Sequence, residues 1–442
     1  MKTLRHALAV FLGLAFLGLT LMSDAIAIAQ DAPVPAPNPA ASQADAEQKE
    51  LAQALADANS SPPDMVRILE AFVARHPEAG QRHDIENVLA RAAIEAKDDR
   101  RTVLYGRRVL AYTPDDILLL DRVARALLAL PGPDESIHDN ATASLIYSRA
   151  LAEKITQAPP PAGKDAARKQ DERDRALARA VLYQSKAKSA LGERDEAERL
   201  AATAFAVYPS EEIAREWAET LEGLGRAEDA IARFADAFTV PDAHAADTDR
   251  AADRRRLGER YRKLHDSDAG LGDLILASYD HTAALIEQRH ARLRAIDPNF
   301  SETEPAQFIL SGLDGKPVLL ASLKGNVVIL DFWATWCGPC RAQHPLYQEA
   351  MERFKDRHDV VFLSVDTDED RTAVAPFLDQ QKWSRAVYFE DGLQRLLQVT
   401  SIPTTILFDK QGHIASRMTG FLPDKFVDQL TERIQSALAD AQ

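Results

Sequence analysis

The sequence predicts two architectures in one chain: an all-α helical-repeat region over residues 46–298 and an α/β domain over residues 299–442. Three observations carry this expectation. Residues 46–298 are rich in Ala, Leu, Glu and Arg, which are strong helix formers. Apolar residues there recur at helical spacing, as in Met65, Ile68, Leu69 and Phe72. The last third turns instead to short apolar runs, and its only two cysteines, Cys337 and Cys340, follow the run Val327-Val328-Ile329-Leu330.

At 442 residues the chain is long enough for two or more domains. Its net charge of −15 argues against nucleic acid or an anionic membrane surface as a partner. Residues 1–29 have the pattern of a signal peptide. Lys2 and Arg5 precede the apolar run Ala7 to Met22, and Ala27-Ile28-Ala29 is a small-x-small cleavage site before Gln30. An uncleaved membrane anchor is the alternative. The apolar run falls short of the ~20 residues a span needs, and Asp24 follows it closely. No cysteine follows the run to carry a lipid. The expected location is therefore periplasmic or otherwise exported, where disulfides persist. With two cysteines and none to spare for structural bridges, such a chain is expected to handle other proteins' thiols, an external oxidant or a metal.

Residues 30–45, with Ala32-Pro33-Val34-Pro35-Ala36-Pro37, read as an extended Pro/Ala-rich linker. The helical region follows and contains an internal echo. Leu191-Gly192 followed by Ala197, Ala204, Phe205 and Pro209 is matched by Leu224-Gly225 followed by Ala230, Phe234, Ala237 and Pro241. The period of about 33 residues is similar to that of tetratricopeptide repeats. Small residues would let paired helices approach, and proline would end each unit. Pro159-Pro160-Pro161 marks a loop before a charged helix face. A helical array of this kind offers a surface for partner binding; a spacer or self-association module is the alternative.

In the last third, a lead-in hairpin is predicted around Phe308 to Leu320, then the strand Val327 to Phe332 and a helix from Arg341 to Phe354. Strand Val360 to Val365, helix Thr372 to Gln380, strand Arg385 to Phe389 and helix Leu393 to Val399 come next. Strands Thr404 to Phe408 and Ile414 to Thr419 flank a turn at Asp409-Lys410-Gln411-Gly412, before a final helix from about Asp424 to Leu438. The block Asp331 to Cys340, the segment Ile402-Pro403-Thr404-Thr405, and the approach Leu313-Asp314-Gly315-Lys316-Pro317 resemble the thioredoxin superfamily. Within it the chain is most similar to the exported TlpA/ResA-like thioredoxins, over about residues 300–438. The resemblance implies a thioredoxin-like fold and a thiol–disulfide oxidoreductase without an organic cofactor.

Cys337, at a helix N-terminus, is the expected nucleophile, exposed and ionised, because unsatisfied N–H groups and the helix dipole favour its thiolate. Cys340, one turn on and more buried, would resolve the mixed disulfide. Gly338 and Pro339 between them match thioredoxin itself, which implies reducing behaviour. Asp331, inside an otherwise apolar strand, would have its acidity weakened by burial and take the proton of Cys340. TlpA-like proteins more often carry Asn there and a Glu three residues after the second cysteine; here that second position is Gln343. Pro403 is the expected cis proline, with the Ile402 backbone pairing an extended substrate. Trp333 and Trp336 are expected to pack and wall the site, and Pro345 to kink the active-site helix.

The reading is thus a dithiol–disulfide exchange enzyme acting on protein substrates. The resemblance implies a membrane electron-transfer partner to recharge it. Three alternatives stand beside it. One is an adaptor using the repeats. Another is copper transfer through Cys337 and Cys340 with His344. The third is a peroxidase, whose Pro-x-x-x-Thr-x-x-Cys pattern does not occur at Cys337.

Overall fold

The structure, a computed structural model, describes residues 39–57, 61–77, 80–241 and 247–439. The targeting segment and most of the Pro/Ala-rich stretch lie outside the described residues. Twelve α-helices come first among the described residues. They are α1 (Pro39–Asp57), α2 (Pro62–Arg75), α3 (Arg82–Glu95), α4 (Asp99–Tyr112), α5 (Ile117–Ala129) and α6 (Asp134–Gln157), then α7 (Ala166–Ala190), α8 (Arg194–Val207), α9 (Glu211–Gly223), α10 (Ala227–Thr239), α11 (Asp247–His265) and α12 (Leu271–Arg294). Helix α1 begins inside the stretch expected to be an extended linker. Ala40, Ala41 and Ala44 favour helix, and Pro39 is tolerated in a first turn.

From α1 to α11 each helix packs against the next, while α12 lies against α10 and α7. The reason is compositional. Ala178, Ala197, Ala204, Ala214, Ala218 and Ala230 are buried, and their small side chains let neighbouring helices close. Phe72, Leu89, Leu119, Phe205 and Phe234 fill the space between. Gly192 and Gly225, at matching places in the sequence echo, both hold left-handed backbone, with φ of 80° and 76°. The next residue in each case closes the helix end: Glu193 N–H donates to Lys188 O, and Arg226 N–H to Leu221 O. Arg289 on α12 pairs with Asp171 on α7.

The C-terminal domain is a thioredoxin-like sheet and helix assembly. Hairpin strands β1 (Ile309–Leu310) and β2 (Val318–Leu319) lead into β3 (Val327–Trp333), α13 (Gly338–Arg353) and β4 (Val360–Asp366). Helix α14 (Val374–Gln381), β5 (Val387–Phe389), the short α15 (Leu393–Leu396), β6 (Thr404–Phe408), β7 (Ile414–Thr419) and α16 (Phe426–Ala439) complete it. The sheet order is β5-β4-β3-β6-β7, with β4 parallel and β6 antiparallel to the central β3. Every residue of β3 is buried, as its apolar run requires of a strand covered on both faces. Its alternation divides the core. Val327 and Ile329 pack with Tyr347, Phe426 and Leu430, while Val328, Leu330 and Phe332 pack with Leu363, Val365 and Ile406.

Several element ends differ from expectation; α13, for one, begins at Gly338 rather than Arg341. Strand β5 starts at Val387, because the preceding Trp383 and Arg385 side chains turn inward against β3 and α13. Helix α15 is four residues long, ending at Leu396 rather than Val399, and Gln398 beyond it holds φ of 53°.

Candidate active site

Cys337 is the N-cap of α13, and its Sγ accepts the Cys340 N–H at 3.1 Å. The two sulfurs form a disulfide, with Cα atoms 5.3 Å apart. Pro339 stands in the first turn, where a missing N–H leaves nothing unsatisfied. The approach loop is fixed from the segment that follows β4. Asp368 accepts Thr335 N–H at 2.7 Å and the Thr335 hydroxyl at 2.9 Å.

Both cysteines are buried, at 3% and 4% exposure, which corrects the expectation of an exposed Cys337. Both cysteines belong to a buried cluster with Trp333, Val374 and Val387, and Ile402 packs against that cluster. The two tryptophans also divide their expected roles. Trp333 is core, whereas Trp336 is 68% exposed and stands at the lip of the site. Ile402 packs on the cysteine cluster from the opposite loop, and the Ile402–Pro403 peptide bond is cis. Pro345 lies inside a continuous α13.

Behind the disulfide is a buried polar layer. Helix α13 presents Cys340, Gln343, His344 and Tyr347 on one buried face. Asp331 lies beneath that face, in register with Ser364 of β4 and Thr405 of β6. Its carboxylate meets only Arg385, at 3.5 Å from Oδ2, and Oδ1 has no hydrogen-bond partner. Burial therefore pushes its pKa up to about 6, with Arg385 opposing the rise. The Arg385 guanidinium sits 4.2 Å from the Trp333 ring centre and 4.8 Å from that of Trp383. Trp383 in turn stacks on His344 at 3.6 Å. Burial first, and Arg385 second, lower the His344 pKa to about 4, so the ring is neutral at pH 7. Burial first, and the Asp331 charge second, hold the Tyr347 phenol well above its usual range.

The structure thus brings Cys337, Gly338, Pro339, Cys340, Asp331, Trp336, Ile402 and Pro403 to one end of β3 and its flanking loops. Sequence reasoning missed Arg385 and Trp383. The available signal was a Trp-Ser-Arg triplet immediately before an apolar strand. It also missed Asp366, the register partner of Trp333, whose pKa is pushed up to about 8 by burial and by the neighbouring Asp368 carboxylate. Among the described residues no group of three or more His, Cys, Asp and Glu side chains is placed to hold a metal.

Comparison with known proteins places this site in a family context. The AhpC/TSA family model matches residues 302–433. The thiol-disulfide oxidoreductase ResA of Bacillus cereus is 33% identical over 119 residues, covering 26% of this chain and 68% of that relative. ResA of Bacillus subtilis is 29% identical over 127 residues, covering 28% of this chain and 70% of the relative. Among solved structures, a thioredoxin-family thiol:disulfide interchange protein of Chlorobium tepidum is 27% identical. It covers 31% of this chain and 98% of its own, with a TM-score of 0.27.

Proposed function

This chain belongs to the ResA-like family of thiol-disulfide oxidoreductases, and we propose that it reduces disulfides of exported protein substrates through Cys337 and Cys340. The observation that carries the reading is a cysteine pair at the start of α13, with a buried carboxyl, Asp331, beneath the same helix face. In the reduced enzyme the Cys337 thiolate attacks one sulfur of the substrate disulfide and expels the other as a thiolate. Asp331 takes the proton of the Cys340 thiol. The Cys340 sulfur then attacks Cys337, and the second substrate sulfur leaves as a thiolate. Two electrons have passed to the substrate, and the enzyme is left with its Cys337–Cys340 disulfide. A membrane electron-transfer partner would return the two electrons.

In this reading Gly338 and Pro339 tune the pair. Trp336 and the Ile402 backbone beside Pro403 hold an extended substrate segment. The helical region serves partner binding, residues 1–29 direct export, and residues 30–45 act as a linker. Among the described residues no helix is long and apolar enough to cross a membrane.

The test is the reduction potential of the Cys337–Cys340 pair, equilibrated against a thiol redox buffer. A value near about −270 mV, as in thioredoxin, is expected of a reductase. A value near about −120 mV would mean an oxidant and overturn the proposed direction.

A further inference from the structure

We propose that the helical region supplies one wall of the substrate groove, and that this groove takes an extended, cysteine-bearing polypeptide segment with a cationic side chain beside the cysteine. The inference rests on the oxidoreductase reading and adds a substrate class to it.

The wall is the loop between α6 and α7, which reaches across to the catalytic domain. Lys164 Nζ pairs with Glu390 Oε1 at 2.9 Å, and Asp165 Oδ1 pairs with Arg395 Nη1 at 3.1 Å. The two bridges exchange charge in opposite senses, which fixes the register of the loop. The Glu390 end is buried and firmly held, because its Oε2 also accepts Gly392 N–H at 2.8 Å and Gln394 N–H at 3.0 Å. A carboxylate held by two backbone donors and a lysine is a strong anchor for a loop from another region.

Between this loop and the active site lies a groove of about 800 Å³, bounded by Lys164 on one side and by Trp336 and Ile402 on the other. Trp336 adjoins Cys337 in the chain, and Ile402 packs on the cysteine cluster, so the groove opens beside the redox pair. Its size is in the upper range of clefts that enclose drug-sized ligands. That is far more than a small disulfide fills and is suited to several residues of extended chain. The exposed Trp336 ring and the Ile402 side chain give it an apolar lip.

Its charge follows from which side chains are already occupied. Lys164 is neutralised by Glu390. Asp368 is buried and gives its oxygens to Thr335. Glu369 and Asp370 line the same groove and are exposed. Asp370 uses one oxygen on Thr372. Among the residues that line the groove, the charge left facing a bound segment is therefore negative. A cationic side chain near the reacting cysteine is favoured there and an acidic one is repelled.

The experiment uses the full-length reduced protein and three oxidants: 2,2′-dithiodipyridine and two peptide disulfides that differ only in Arg or Glu beside the cysteine. Second-order rate constants are read from tryptophan fluorescence. The Arg peptide is expected to react about tenfold faster than the Glu peptide at low salt, with the ratio shrinking as ionic strength rises. Glu369→Lys is expected to reverse the preference. Lys164→Ala with Asp165→Ala is expected to lower the ratio of peptide to dithiodipyridine rates about tenfold, by freeing the wall. Equal rates for the two peptides in the unaltered protein would overturn the charge assignment. An unchanged peptide-to-dithiodipyridine ratio in the double variant would overturn the wall. A reduced protein inert to all three oxidants would instead overturn the oxidoreductase reading on which both rest.

Discussion

Replacing Asp331 by Asn should change the pH dependence of stability by an amount the site itself fixes. Asp331 is buried, and its pKa is raised from the usual 3.8 to about 6. A carboxyl whose folded value lies above its unfolded value favours the fold while protonated. That contribution is fully present below pH 3.8 and is lost as pH rises through 6. At ~1.36 kcal/mol per pH unit, the interval corresponds to about 3 kcal/mol. Asparagine has no such titration. The stability of Asp331→Asn relative to the unaltered protein should therefore climb by about 2.4 kcal/mol between pH 4 and pH 7.5, since part of the change already lies below pH 4, whatever its value at pH 4. The starting offset is not fixed by this reasoning, because Asn also leaves the buried Arg385 without its carboxylate. Urea denaturation followed by tryptophan fluorescence reads the catalytic domain well, since Trp333, Trp336 and Trp383 all lie within it. A stability difference that stays flat across that pH range would refute the reasoning. The same variant should slow the resolution step at neutral pH by roughly 10²-fold or more and accumulate mixed disulfide, if the carboxylate acts as the base.

Two further substitutions probe the surroundings. Arg385→Met removes the cation that opposes the rise of the Asp331 pKa, so the midpoint of the pH–rate profile for resolution should move up by about one pH unit or more; an unmoved midpoint would mean that Arg385 does not act on Asp331 in solution. Gly106→Ala places a methyl group 2.4 Å from Val123 Cγ2 between α4 and α5, and the overlap should cost about 1–3 kcal/mol despite the better helix propensity of alanine. Circular dichroism during denaturation measures this, and adding Val123→Ala should recover part of the loss caused by the clash.

How much of this was legible in the sequence depended on distance along the chain. Asp331, the two cysteines and the Gly-Pro between them lie on one strand, one turn and one helix, so local periodicity and helix-end chemistry were enough to place them. Ile402 and Pro403 lie far downstream and were placed only through the family resemblance. Arg385 was invisible because its burial depends on three partners from separate elements: Trp333 on β3, Trp383 before β5, and Asp331. An arginine at the start of an expected strand ordinarily reads as solvated, and no local pattern says that two indoles will enclose it. The contact of Lys164 with Glu390 was hidden for the same reason, since a charged loop after three prolines gives no sign of what it will meet. The burial of Cys337 was missed for a different cause. Helix-end reasoning describes the reduced thiolate, whereas the structure holds the closed disulfide.

An uncharged Gln at position 343 makes sense once the layer beneath α13 is taken as a whole. A second carboxylate on that helix face would have shared the pocket with Asp331 and pushed one of the two well into its neutral form. Gln343 is buried with its Nε2 unpaired, and it adds no charge. His344 is kept neutral by burial and by the nearby guanidinium. Asp331 and Arg385 are therefore the charged pair beneath this face, and the pair is loose, at 3.5 Å with one carboxylate oxygen unused. A tight bidentate pair would have lowered the carboxyl's pKa and made it a poor proton acceptor. A loose one leaves it near 6, ionised at neutral pH and still basic enough to receive a thiol proton. The two tryptophans flanking Arg385 supply the compensation that lets this cation remain buried without a closer carboxylate. The indole stack thus bears on the carboxyl proposed as general base, and loosening the stack should alter the pH at which the dithiol works before it alters the fold.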